Sequence, residues 1–226
     1  MIALLIPVKD FRQAKNRLSS LLNEAERALL ARTMFEDVAG SVCGSARVAA
    51  GKGVRVALVS NSDEAIERAA LMGWEVLRED RPSSESASVD WASRHLAAKG
   101  YRGVLRLPAD IPLISADDVD DLLIAAAGGT PVLMVPSSDG RGTNALLRCP
   151  PDLFPSRFGP GSFALHLQEA HRAGAAVRVV HSPRIALDVD ESADLLQILD
   201  QPKDNRTIRL LRQWKIDERI HAVEGF

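Results

Sequence analysis

The sequence predicts an α/β fold, a single domain on a mostly parallel central sheet with helices on both faces. Two observations predict it. Short, nearly continuous apolar runs bounded by Gly, Pro or polar residues alternate with stretches whose apolar residues fall at helical spacing. That alternation is the pattern of strands buried on both faces and joined by crossover helices. Charged and hydroxyl residues gather just beyond the C-terminal ends of several runs, where an open parallel sheet holds its ligands. At 226 residues the chain is one domain, or one with a modest appendage, and can bury a core without staples.

Composition narrows the function. A net charge of −2 gives no basic field for nucleic acid or a membrane surface, and 46% hydrophobic residues with 26% charged is an ordinary soluble balance. Cys43 and Cys149 stand alone and the five histidines form no ligand pattern, which fits a reducing cytoplasm. The apolar start Met1–Pro7 lacks a basic opening and a cleavage site and is too short to span a bilayer. It reads as a first strand.

In chain order, that strand covers Ile2–Ile6 and ends at Pro7-Val8-Lys9. Lys9, Arg12, Lys15 and Arg17 follow, four cations placed as a phosphate receptor or, more plainly, a solvated basic loop. No G-x-G-x-x-G and no G-x-x-x-x-G-K-[ST] occurs there, which argues against a dinucleotide-binding protein and a P-loop hydrolase. Asn23 caps a helix over Glu24–Val42. Val54–Ser60 is a second strand, whose polar end Ser60-Asn61-Ser62-Asp63 caps the helix Asp63–Met72 or faces a ligand. Trp74–Leu77 is a third strand. A polar loop over Arg81–Ser88 leads to a helix over Val89–Ala98, with Trp91 packing. Glu85 and Asp90 are cap or surface acids there, or carboxylates able to accept the paired N–H groups of a guanine edge.

Gly103–Leu107 is a buried strand ending at Asp110, which Pro108 and Pro112 flank and hold. A carboxylate so placed suits Mg²⁺, which keeps several waters and bridges phosphates. Ser115 caps the next helix, with Val119, Leu122 and Leu123 inward. Pro131–Val135 is a strand. Gly140-Arg141-Gly142-Thr143-Asn144 then combines permissive glycines with anion donors before the strand Ala145–Leu147. Phe158-Gly159-Pro160-Gly161-Ser162-Phe163 opens a helix to about His171, with Ser162 at the dipole end that favours phosphate and His166 one turn in. Val177–Val180 and Ile185–Val189 read as strands, the second setting Asp188 and Asp190 on one face. Two like charges so placed need a cation or donors between them, and a Mg²⁺ shared with Asp110 is such a cation. A last helix carries Ile208, Leu211 and Trp214.

Together these segments resemble the 2-phospho-L-lactate or phosphoenolpyruvate guanylyltransferase family of deazaflavin coenzyme F-420 biosynthesis. The likeness runs through Ile6-Pro-Val-Lys9, Ala14-Lys-Asn-Arg-Leu18, Glu26-Arg27, Leu107-Pro-Ala-Asp-Ile-Pro112, Gly142-Thr-Asn-Ala-Leu146, Phe158-Gly-x-Gly-Ser-Phe163 with His166, and Leu187-Asp-Val-Asp190 with Asp194-Leu195. The Gly-Thr-Asn-Ala-Leu and Phe-Gly-x-Gly-Ser-Phe pair is its specific part. The resemblance implies a Rossmann-like, glycosyltransferase-A-like three-layer sandwich over residues 1–199, with 200–226 a helical tail packed on the domain or on a second subunit. It implies GTP in the N-terminal half, and with the readings above the nucleotide falls to Pro7, Lys9, Arg12, Lys15, Arg17, Ser60, Asp90 and Asp110. Lys9, Lys15, Arg17 and Asp110 are then catalytic, and Asp110, Asp188 and Asp190 hold Mg²⁺. The acceptor, a small phosphorylated carboxylate, falls to Arg141, Thr143, Asn144, Gly159, Gly161 and Ser162. One departure stands out: Ser88-Val89-Asp90 occupies the place where the family commonly has Gly-Leu-Asn, near base and acceptor.

The reaction so implied is attack by the acceptor's phosphate on the α-phosphorus of GTP, expelling pyrophosphate, in a cytoplasmic enzyme that forms a homodimer or acts alone. Phosphoenolpyruvate, 2-phospho-L-lactate and 3-phospho-D-glycerate carry the same two anionic ends and fit equally. A sugar-1-phosphate or molybdopterin nucleotidyltransferase calls for a Gly-rich first loop in place of Val8-Lys9-Asp10. A non-catalytic nucleotide-binding relative has no need of the three aspartates. A family-A glycosyltransferase calls for its D-x-D at mid-chain.

Overall fold

The structure is a computed structural model, and it describes residues 1–80 and 84–224. The polar loop expected from Arg81 therefore lies, over residues 81–83, outside the described residues. The first half alternates strand and helix. It runs β1 (Ile2–Val8), α1 (Glu24–Gly44), the short α2 (Ala46–Ala49), β2 (Val54–Ser60), α3 (Asp63–Leu71), β3 (Glu75–Arg78), α4 (Glu85–Ala98) and β4 (Gly103–Arg106). The second half holds α5 (Ala116–Ala127), β5 (Val132–Pro136), β6 (Thr143–Arg148), α6 (Ser162–Arg172) and β7 (Val177–Val179). The chain closes with α7 (Pro183–Ala186), α8 (Ser192–Leu199), α9 (Arg206–Gln213) and α10 (Ile216–Glu224).

The strands form one sheet in the order β3-β2-β1-β4-β6-β5-β7. Pairing is parallel throughout except at β6, which runs antiparallel to β4 and β5. The expected mostly parallel α/β sandwich is the observed fold. Alternation along β1 splits its side chains between two layers. Leu4 and Ile6 pack with Phe35 and Val38 of α1 and Val119 and Leu122 of α5, whereas Ala3 and Leu5 pack with Val89, Ala92 and Leu96 of α4. A further cluster, with Leu18, Leu22, Met34, Val189 and Leu195, is closed by Ile208, Leu211, Ile216 and Ile220 of α9 and α10.

Two differences from the expected elements bear on the site. Helix α4 starts at Glu85, four residues before the expected Val89, because Ser84 caps it by accepting from the Ala87 N–H. The expected strand over Ile185–Val189 is not one. Pro183 starts the helical turn α7, as its fixed φ favours, and the segment after it bonds to side chains and loops. Asn144 Nδ2 donates to the Ile185 and Ala186 carbonyls, Ser138 N–H donates to Ala186 O, and Val189 N–H to Asp110 O. Ile185, Leu187 and Val189 are buried all the same, which explains their strand-like spacing.

Candidate active site

The site begins with an unfavourable backbone. Two 3₁₀ turns, Phe11–Gln13 and Asn16–Leu18, meet at Lys15, which adopts φ 55° and ψ 39°. A non-glycine residue rarely takes that left-handed conformation, and buried Phe11 and Leu18 on either side hold it. The bend turns the Lys15 side chain inward, where it is 8% exposed. Its Nζ donates to Asp110 Oδ2 at 2.5 Å and to Asp190 Oδ1 at 2.9 Å. Asp110 stands past β4, in a turn anchored by the Leu107 N–H on Leu5 O. Asp190 comes from the segment after α7. Three distant stretches thus converge on one ammonium.

The charges here are unequal. Asp188 accepts from Asn144 Nδ2 at 3.0 Å, and burial, then the negative charges of Asp110 and Asp190, push its carboxyl above the ordinary range. Burial works against Asp110 too, but Lys15 outweighs it and holds that carboxyl below the usual value. Lys15 itself is disfavoured by burial, yet the two carboxylates raise its affinity for the proton. One ammonium therefore serves two carboxylates, with a third carboxyl, Asp188, close enough to feel their charge.

Among the described residues, no three His, Cys, Asp or Glu side chains are grouped closely enough to hold a metal ion. The Asp110 and Asp190 oxygens nonetheless meet the requirement of Mg²⁺, which takes one or two carboxylates and completes its shell with water and substrate phosphate. They already share one cation, Lys15, and the surplus of negative charge leaves room for another.

A cleft opens beside this cluster, and Pro7, Lys9, Lys15 and Asp110 all line it. Asn61, Glu79, Glu85 and Arg106 line it too. The expected group of four cations separates. Lys9 and Lys15 face the cleft, whereas Arg12 is exposed on Asp10 and Arg17 is exposed on Glu191 at 3.1 Å. Ser60 is buried with its Oγ accepting from the Ser62 N–H, so Val59 and Asn61 stand on the wall in its place.

Asp90 is likewise turned away from the cleft. Its carboxylate accepts from Arg148 Nη1 at 2.9 Å and from the Ser156 N–H and Oγ. Those three donors bind it to the loop after β6, and it is not among the residues that line the cleft.

In the second half, Thr143, Ser162 and His166 form a buried triad. His166 Nε2 accepts from the Arg157 N–H at 2.8 Å, so Nδ1 carries the proton and donates to Thr143 Oγ1 at 3.0 Å. Ser162 Oγ also donates to Thr143 Oγ1, at 3.3 Å. That hydroxyl oxygen receives two hydrogen bonds and keeps its own hydrogen for an anion. Gly159 (φ 124°) and Gly161 (φ 71°) shape the loop that delivers Ser162, at angles that glycine alone adopts readily. Two other residues expected at the acceptor bond elsewhere in the structure. Arg141 is exposed and held by Asp139, and Asn144 spends its amide on residues 185–188. Arg106 and Arg148 are also buried, and each is a cation inside an otherwise apolar run, which is a signal in itself.

Comparison with known proteins adds a third line. Residues 2–223 match the family described as Guanylyl transferase CofC like. A phosphoenolpyruvate guanylyltransferase of Rubrobacter xylanophilus is 39% identical over 85% of this chain and 91% of its own. A 2-phospho-L-lactate guanylyltransferase of Methanothermobacter thermautotrophicus is 34% identical over 86% of this chain and 82% of its own. Among solved structures, a nucleotidyl transferase from a Methanothermobacter superposes with a TM-score of 0.60 at 19% identity, covering 94% of this chain and 99% of that one. That last likeness shows the fold.

Proposed function

The chain belongs to the CofC-like guanylyl transferase family, and from that premise we propose that it moves the guanylyl group of GTP onto a small phosphorylated carboxylic acid in deazaflavin coenzyme F-420 biosynthesis. Such transfer makes the chain a nucleotidyltransferase. The observation that carries the reading is the Lys15 ammonium shared by Asp110 and Asp190 at the mouth of the cleft. In the reaction an oxygen of the acceptor's phosphate bonds to the α-phosphorus, the bond from that phosphorus to the α–β bridging oxygen breaks, and pyrophosphate leaves.

A phosphate monoester is already an anionic nucleophile at neutral pH, so the protein need not remove a proton. What it must do is bring two anions together and hold them in line. Lys9 and Lys15 neutralise the triphosphate, and the Thr143 hydroxyl with the start of α6 receives the acceptor's anion. Asp110 and Asp190 would hold Mg²⁺, with Asp188 adding charge behind them. When bound, that ion would neutralise negative charge on the phosphoryl oxygens of the reacting group. The cytoplasm suits the free Cys43 and Cys149, and no helix among the described residues is long and apolar enough to cross a membrane.

The test is incubation with GTP, Mg²⁺ and phosphoenolpyruvate, 2-phospho-L-lactate or 3-phospho-D-glycerate in turn, following pyrophosphate release and product mass. Phosphoenolpyruvate is the acceptor to try first, as the substrate in the name of the relative at 39% identity. Asp110→Asn should lower turnover about a hundredfold or more, given the several kcal/mol that such charge stabilisation supplies, with the fold kept as read by circular dichroism. An Asp110→Asn protein that works at the wild-type rate would sink the site.

A further inference from the structure

The lining of the cleft also holds a pair that the reaction has not used. Arg106 is 8% exposed on its side chain and forms an ion pair through Nη2 with Glu85, at the first turn of α4. Its Nη1 donates to the Thr143 and Asn144 carbonyls at 3.3 and 3.4 Å, and its Cζ lies 4.4 Å from the Phe158 ring centre. The guanidinium is thereby fixed. Yet its Nε is buried with no hydrogen-bond partner among the described residues.

In a guanidinium, Nε–H and Nη2 lie along one edge of the fork. The edge that meets Glu85 therefore also carries an unused donor. Glu85 is a partly exposed carboxylate with acceptor capacity beyond its one bond to Arg106. A ligand completing this pair must offer an acceptor next to donors. Guanine does so with O6 beside N1–H and N2–H₂. Adenine sets an acceptor, N1, where the carboxylate needs a donor, and cytosine does the same with N3.

We infer that Glu85 reads the N1–H and N2–H₂ edge of guanine, with Arg106 as its positioning residue and as a donor to O6. The inference rests on the proposed transfer from GTP and names the residue that makes the nucleotide a guanine nucleotide. Asp90, the other carboxylate of α4, is fully engaged by Arg148 and Ser156. Glu79, also in the lining, accepts from Ser88 Oγ at 2.9 Å and lacks the Arg106 fork that directs Glu85.

The experiment measures dissociation constants of GTP, ITP and ATP by calorimetry for the full chain and for Glu85→Gln, with thermal melting of each. ITP differs from GTP in lacking the exocyclic amine. Wild-type protein should bind GTP over ITP over ATP. Glu85→Gln should lose about tenfold to a hundredfold in GTP affinity while ATP binding stays level, so the GTP:ATP and GTP:ITP ratios collapse. Glu85→Asp, which keeps the charge but withdraws it by one methylene, should give the same collapse and serves if the glutamine variant does not fold. Ratios unchanged in the folded variants, or equal losses for all three nucleotides, would overturn the assignment. So would a collapse in Glu79→Gln in place of Glu85→Gln. A wild type that binds ATP as tightly as GTP would overturn the guanylyl reading itself, and this inference with it.

Discussion

His166 shows how a single buried group ties a site to pH. It has no exposed surface, and burial first, then the nearby Arg148 and Arg106, lowers its pKa from 6.5 to about 3. Its one ring proton is committed to Thr143 and its other nitrogen to the Arg157 N–H. A second proton would break the latter bond and bury a charge. In the unfolded chain His166 takes up that proton near pH 6.5, so below that value the unfolded state binds more protons and stability falls with pH until about pH 3. The slope from this residue is at most about 1.4 kcal/mol per pH unit. His166→Gln removes the titration. Its stability deficit against wild type in urea unfolding should shrink between pH 7 and pH 4, whereas a deficit equal at both pH values would refute the coupling. Residues of this kind are legible in sequence only as candidates: Thr143, Ser162 and His166 were all singled out, but their mutual bonds depend on β6 and α6 meeting in space.

Elements marked by local signals were readable. Asn23 and Ser115 cap α1 and α5 with capping boxes closed by Glu26 and Asp118, because a cap is settled within four residues. The segment after β7 was not, since its alternating Ile185, Leu187 and Val189 mimic a strand while tertiary bonds decide its path. Asn144 makes most of those bonds, sharing its two amide hydrogens among Ile185 O, Ala186 O and Asp188 Oδ1 at 2.9 to 3.0 Å. Asn144→Ala leaves two carbonyls without that donor and Asp188 without its hydrogen bond, beside the like charge of Asp110. Stability should fall by about 1–3 kcal/mol, read from urea midpoints, and turnover should fall further than GTP affinity because Asp188 and Asp190 lose their support. A variant with wild-type turnover would show that β6 does not position the aspartates.

At the scale of the whole molecule, the stretch with the fewest motifs proves to be part of the frame. The prolines at 108 and 112 signalled a turn that lacks regular bonding, but nothing local said what would meet its carbonyls. Distant residues do. Lys203 Nζ donates to Leu113 O and Ile114 O at 2.8 and 2.6 Å, and Asn205 Nδ2 donates to Pro112 O at 2.7 Å before capping α9. Helices α9 and α10 then bury Ile208, Leu211, Ile216 and Ile220 against Leu18, Leu22 and Met34, the side chains under the Lys15 bend, and against Val189 and Leu195 on either side of Asp190. A chain ending at residue 199 would expose that cluster and leave three carbonyls after Asp110 without these donors. We expect it to melt well below the full chain, to bind a hydrophobic dye, and to lose guanylyl transfer. Ile208→Ala, a milder cut into the same cluster, should cost about 2–5 kcal/mol. It should lower turnover too, because Lys15 and Asp190 both rest on what Ile208 packs against. A shortened chain that melts and turns over like the full one would show that the tail supports neither side of the ion cluster.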